Sequence, residues 1–182
     1  MTEGGGRLAI PVGAEDHAQG PDDAAITLVE YGDYECPYCG QAFPIVQELQ
    51  RVFAASLRLV FRNLPLSNVH PHAESAAEAA EAVALQGRFW AMHDLLFQHQ
   101  RDLRAESLLH YAEEAGADAT QVAEVLARRG TRDRVENDLE GALLSGANGT
   151  PTFFVNGSRY DQSWDFDSLR EFIQAELDRA NS

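Results

Sequence analysis

Cys36 and Cys39 are the two cysteines of this 182-residue chain, and Pro37 and Tyr38 alone separate them. Two thiols at this spacing can carry out thiol–disulfide exchange if the first is held as a thiolate and the second can reach it. The flanking residues indicate that both conditions are met. Before the pair, Ile26–Tyr31 alternates, with Ile26, Leu28 and Glu30 on one face and Thr27, Val29 and Tyr31 on the other, the pattern of a strand. After it, Phe43, Val46, Leu49, Val52 and Phe53 recur at helical spacing. Pro37 suits the first turn of that helix, where its missing N–H costs nothing. The spacing therefore predicts Cys36 at a helix N-terminus, where unpaired N–H groups and the helix dipole favour an anion. Thiols in such settings titrate at roughly 3.5–7.5 instead of about 8.5. The expectation is an exposed, acidic Cys36 and a deeper, ordinary Cys39.

The elements that must hold this turn fit a chain of one domain, or a small domain carrying an insertion. A formal net charge of −15 would repel nucleic acid and anionic lipid, so neither nucleic acid nor a membrane is expected as a partner. No apolar run approaches the length of a membrane span. Met1 to Gly20 is Gly-rich and polar, without the basic start and hydrophobic stretch of a secretory signal, which makes a cytoplasmic location the expectation. In a reducing compartment two cysteines argue for catalysis or metal binding over a structural staple.

In chain order, Met1 to Gly6 reads as a disordered tail. Arg7 to Val12 could add a short edge strand, followed by a loop from Gly13 to Ala24. The strand at about 26–31 leads through the cysteine turn into a helix over about 36–54, which contains Pro44 and should kink there. Leu57–Arg62 alternates again as a second strand with Leu57, Leu59 and Phe61 towards the core, so the strand–helix–strand unit is a right-handed parallel crossover. A loop over 64–72 then opens a run of helices: about 73–86 to Gly87, Phe89–Phe97, one ended by Gly116, one capped by Asp118 and ended at Gly130, and Arg132–Leu144. Gly146–Pro151 breaks the helices, Thr152–Val155 is a strand, and Asn156-Gly157 is a hairpin turn into Ser158–Tyr160. A last helix spans about 166–179, capped by Asp165 or Ser168. The helical block is an insertion in an α/β frame, with no internal repeat.

With these motifs in place, the chain resembles the thioredoxin superfamily and, within it, the DsbA-like group. The carriers are Tyr31–Cys39, Pro44 eight residues after the first cysteine, and Gly149-Thr150-Pro151-Thr152-Phe153. Phe61–Leu66 and Phe89–Asp94 are also typical of the bacterial members. The resemblance covers roughly residues 24–180. It implies a thioredoxin fold, a central mixed sheet flanked by helices, with an all-helical insertion over about 64–147 between the second and third core strands. Residues 1–23 form the tail and possible edge strand, and 24–182 the DsbA-like domain. It also implies roles: Cys36 as nucleophile, Cys39 as resolving partner, and Pro151 as a cis-proline facing the cysteines. Thr150 would offer backbone groups to an extended substrate. Glu30 matches a buried acid beneath the cysteines that can relay a proton for Cys39, and its alternation with Ile26 and Leu28 independently puts it on the core face.

The remaining candidates are simpler. Glu35 reads as a solvated carboxylate, and Tyr38 either tunes the potential or contacts substrate alongside Pro37. His70 and His72 read as loop histidines and His93 as a satisfied core histidine. Trp90, Met92 and Phe97 read as core or groove lining, and the glutamates of the insertion as a solvated helix face. The chain is thus read as a thiol–disulfide oxidoreductase acting on protein or small-molecule thiols and disulfides, with an unidentified redox recycling partner and no cofactor. Two other classes remain open: a C-x-x-C metal or iron–sulfur module bridging a dimer, and a redox-gated holdase.

Overall fold

The structure, a computed structural model, describes residues 6–182. The expected disordered tail therefore lies, except for Gly6, outside the described residues. Five strands and seven helices follow in the order β1 (His17–Gln19), β2 (Ile26–Gly32), α1 (Pro37–Val52), β3 (Leu57–Asn63), α2 (Ala73–Ala84), α3 (Phe89–Gln98), α4 (Ala105–Glu114), α5 (Ala119–Ala127), α6 (Arg132–Leu144), β4 (Thr152–Val155), β5 (Ser158–Tyr160) and α7 (Phe166–Ala180).

The sheet runs β1-β3-β2-β4-β5. Ile26 N donates to Ser56 O (2.9 Å) at one end of the β2–β3 pair, and Leu64 N to Gly32 O (2.8 Å) at the other. The residue numbers rise together, so these two strands are parallel and α1 is their crossover, as expected. The other three pairs are antiparallel, making the sheet mixed. Alternation understated the burial of the central strands. Val60 and Arg62, on the face of β3 opposite Leu57, Leu59 and Phe61, are buried too, as befits strands covered on both sides.

The chain packs as two compact units. The first takes in the chain up to Tyr31, Gln41–Arg62 and Gly141–Ser182. Ile26, Leu28, Leu49, Leu57, Phe154, Leu169 and Ile173 form part of its core. Asp165 caps α7 by accepting from Ser168 N (3.0 Å), which decides between the two capping candidates. The edge strand is not at Arg7–Val12 but at β1, where His17 pairs with Phe61 and Gln19 with Leu59, antiparallel. Arg7 makes only an isolated bridge to Ser158. The reason lies in Arg62, whose guanidinium takes the carbonyls of Ile10 (2.9 Å) and Pro11 (3.2 Å) that a ladder would have used.

The second unit comprises Gly32–Gly40 and Asn63–Glu140. Two glutamates expected on a solvated face, Glu78 and Glu81, are buried. Glu78, with Glu74, holds Arg129. Arg129, not Gly130, is the left-handed residue that ends α5 (φ 54°). Asn63 Nδ2 donates to Glu81 Oε1 (2.8 Å) and to Asp138 Oδ2 (3.0 Å), and Asn63 N also donates to Asp138 Oδ2 (2.9 Å). Arg134 approaches each carboxylate to 3.7 Å.

Burial pushes the Asp138 carboxyl up to about 6, with Glu81 adding repulsion, while Arg134 and the Asn63 bonds hold it down. A carboxyl whose pKa rises on folding takes up a proton between its unfolded and folded values, so stability falls as pH rises through that window. Between pH 4 and pH 7, wild type is therefore expected to lose on the order of 3 kcal/mol relative to Asp138→Asn. Urea unfolding across that range checks this; parallel curves for the two proteins would refute it.

Candidate active site

Asp33–Cys39 links the end of β2 to the first turn of α1. Cys36 stands immediately before Pro37, the first residue of the helix. Its carbonyl accepts from Gly40 N (3.1 Å), and its own N–H donates to Asp33 O (3.1 Å). Cys36 is thus the N-cap, the position expected, with the helix's unpaired N–H groups beginning beside it. Asp33 N donates to the Cys39 sulfur (3.5 Å), a polar contact that a thiolate accepts better than a thiol. Cys39 is fully buried, as expected. Cys36 is not the exposed thiol foreseen: it is only 3 % exposed, whereas Tyr38 beside it is 60 % exposed. The sulfur-bearing residue lies just beneath a rim made by Pro37 and Tyr38.

That burial has a cause in the second unit. Asp33, whose side chain is fully buried, accepts from Leu66 N (2.9 Å) and His70 Nδ1 (2.7 Å) on one oxygen and from Glu35 N (2.8 Å) on the other. Glu35 accepts from His72 N (2.6 Å) and His72 Nδ1 (3.0 Å). Far from being idle loop and surface residues, His70, His72 and Glu35 strap the 64–72 loop to the cysteine turn. The matched spacings stand in the sequence; that the two segments face each other does not. Asp33 and Glu35 are two apart, as are His70 and His72, and two parallel strands send their continuations out in the same direction, so the pairs meet in order.

A third element, the segment after α3, closes over the turn. Gln100 Nε2 donates to Tyr34 O (2.8 Å) and to Cys36 O (2.9 Å). Nothing in the sequence marked this residue. Tyr34 is buried, its hydroxyl bonded to His93 Nδ1 (3.1 Å), with ring contacts to His93 and Phe97. His93 is a satisfied core histidine, as foreseen; Trp90 and Phe97 pack against its ring, and Met92 is fully buried.

Three expected site residues belong to the first unit. Glu30 is buried at 2 % exposure in β2, opposite Phe153 of β4. The Thr150–Pro151 peptide bond is cis. It directly precedes Thr152, the partner of Tyr31, and so sits at the end of the sheet where β2 finishes.

The Thioredoxin family model matches residues 13–175. A protein named Na(+)/H(+) antiporter NhaA 1 from Salinispora arenicola is 51 % identical over 170 residues, covering 93 % of this chain and 26 % of that protein. The chain thus spans about a quarter of the length of the curated relatives it matches. Among solved structures, oxidised BdbD from Bacillus subtilis superposes with a TM-score of 0.85 at 27 % identity, over 96 % of this chain and 97 % of that one. A thioredoxin-like oxidoreductase from Silicibacter pomeroyi gives 0.79 at 28 % identity, over 93 % and 94 %.

Proposed function

The chain belongs to the thioredoxin family, and from that premise we infer that it is a DsbA-like thiol–disulfide oxidoreductase working through Cys36 and Cys39. The observation that carries this reading is the placement of Cys36 as the N-cap of α1, with Cys39 one turn on and bonded by Asp33 N. In the oxidising direction a substrate thiolate attacks Cys36 Sγ of the Cys36–Cys39 disulfide, forming a mixed disulfide as Cys39 leaves as a thiolate. A second substrate thiolate attacks the substrate sulfur of that bond and Cys36 leaves with its electron pair. Two substrate thiols become one disulfide; their two electrons end on the cysteine pair, and their two protons go to the cysteines or to solvent. Reduction runs the same steps backward.

Within this reading Cys36 is the nucleophile and Cys39 the resolving thiol. Glu30, buried and carboxylic, relays a proton for Cys39. Pro37 and Tyr38 meet the substrate at the rim, and Thr150 with the cis Pro151 offers backbone to an extended segment. The near-complete burial of Cys36 selects extended, thin partners over flat protein faces. Sodium–proton exchange, named for relatives matched over a quarter of their length, is not carried over; no helix among the described residues is long and apolar enough to cross a membrane. A cytoplasmic location, part of the same proposal, would run the enzyme as a reductant; cell fractionation with acid-quenched alkylation reads both.

The test is insulin reduction and dithiol oxidation by the purified chain, alongside equilibration in a glutathione series. Wild type is expected to turn over and Cys36→Ser to fall to the uncatalysed rate. Equal rates for the two proteins would overturn the assignment. Metal analysis with gel filtration separates it from a cluster held between subunits.

A further inference from the structure

We propose that Gln100 is a positioning residue for the exchange chemistry, setting the acidity of Cys36 by holding its carbonyl and that of Tyr34; the proposal rests on the function inferred above. One amide nitrogen reaches both oxygens, Tyr34 O at 2.8 Å and Cys36 O at 2.9 Å. One oxygen is Cys36's own carbonyl and the other belongs to the turn leading into it, and the partial negative charge on each adds to the cost of a thiolate at Cys36. A donor shared between them withdraws that potential. It also fixes the turn so that the first N–H groups of α1 stay aimed at the position of the sulfur. The clamp is part-buried, so its fixed dipoles are less screened than they would be in open water.

Gly40 shows that room was kept for this side chain. A Cβ at Gly40 would lie 2.0 Å from Gln100 Oε1 and 2.8 Å from its Cδ. Any larger residue at position 40 must push the amide away. Only the far end of a flexible side chain has to move, so the fold can absorb the change. Gly40→Ala thus disturbs the clamp from the opposite side, and it does so while improving helix propensity by about 1 kcal/mol. A merely structural role for Gln100 would leave the chemistry of Cys36 untouched in that variant.

The experiment measures the pH midpoint of Cys36 alkylation in the Cys39→Ala background for the full chain, together with the glutathione equilibrium of proteins retaining both cysteines. Three variants are compared: Gln100→Met, which keeps length and loses the donor; Gln100→Glu, which sets a carboxylate against both carbonyls; and Gly40→Ala. The expected result is a midpoint higher than wild type in all three, with a roughly three- to tenfold smaller thiolate fraction at pH 6. Gln100→Glu should be the most affected. The disulfide form should be correspondingly more populated in a given glutathione mixture, since a costlier thiolate disfavours the dithiol. Unchanged midpoints in Gln100→Met and Gly40→Ala would overturn the proposal, whatever their thermal stability. Alkylation does not depend on turnover, so a wild type inactive towards insulin would sink the inferred function without deciding the role of Gln100.

Discussion

Replacing Cys39 with alanine is expected to leave substrate attached to Cys36. On the roles proposed above, the wild type releases the mixed disulfide with a thiol held one helical turn away, which converts a bimolecular attack into an intramolecular one. Well-placed groups behave as though present at effective concentrations of about 10⁵ M or more. Without Cys39, release depends on whatever thiol diffuses in, and the lifetime of the mixed disulfide should lengthen at least about a hundredfold at micromolar thiol. Non-reducing electrophoresis of the variant mixed with reduced substrate reads this directly. Cys36→Ala must give no adduct, because Cys39 is fully buried and already engaged by Asp33 N. Adducts on Cys39 in that second variant, or rapid release from Cys39→Ala, would reverse the assigned roles. The buried position of Cys36 adds a further expectation: a bulky alkylating reagent should react more slowly than iodoacetamide by a larger ratio than with a free small thiol.

Arg62→Ala should have the largest effect on stability. The guanidinium grips Asp16 through two parallel bonds (2.8 and 2.9 Å), and donates to Tyr31 Oη (3.1 Å) and to the carbonyls of Ile10 and Pro11. Both charged side chains are under a tenth exposed. Burial opposes the charge on Arg62, yet its bonds to Asp16 and Tyr31 more than offset this, so the cation persists at any working pH. Removing one partner leaves the largely buried Asp16 carboxylate without its cation, at a cost of roughly 3–5 kcal/mol. For a chain of this size that corresponds to a Tm lower by on the order of 10 °C. Removing both partners, in Asp16→Asn with Arg62→Met, should cost less than Arg62→Ala alone, since no charge is then stranded. Arg62→Lys should rescue only in part, because a single ammonium cannot reproduce the two-pronged grip. Hydrogen exchange would show the loss first in residues 7–19, the segment this side chain ties down. A loss under 1 kcal/mol would mean that the clasp is ornamental.

Most elements were legible in the sequence because their signals are local. Alternation in Ile26–Tyr31 and Leu57–Arg62, Asn156-Gly157 between two short strands, and glycines at 87 and 116 with φ of +74° and +89° depend on neighbours a few residues away. Cys36 at the head of a helix is of the same kind, since Pro37 and the apolar spacing after it are all within reach of one another. The burial of Glu30 followed from its parity with Ile26 and Leu28.

Tertiary structure decided how the cysteine turn is held, and through what. Spacing could not show that Asp33 and Glu35 meet His70 and His72, that Gln100 crosses 64 residues to reach Cys36 O, or that Arg62 rather than a strand engages Ile10 and Pro11. It placed the cysteines in the α/β frame, whereas Gly32–Gly40 packs with the helical unit. Polar partners of that kind are chosen by where the backbone brings distant residues, and a histidine or glutamine carries no periodic mark of the carbonyl or carboxylate it will meet. The chain's local pattern therefore determined that there is a reactive pair and which helix it heads. The fold decided how deep the first sulfur-bearing residue lies, because depth is a sum over atoms contributed from far along the chain.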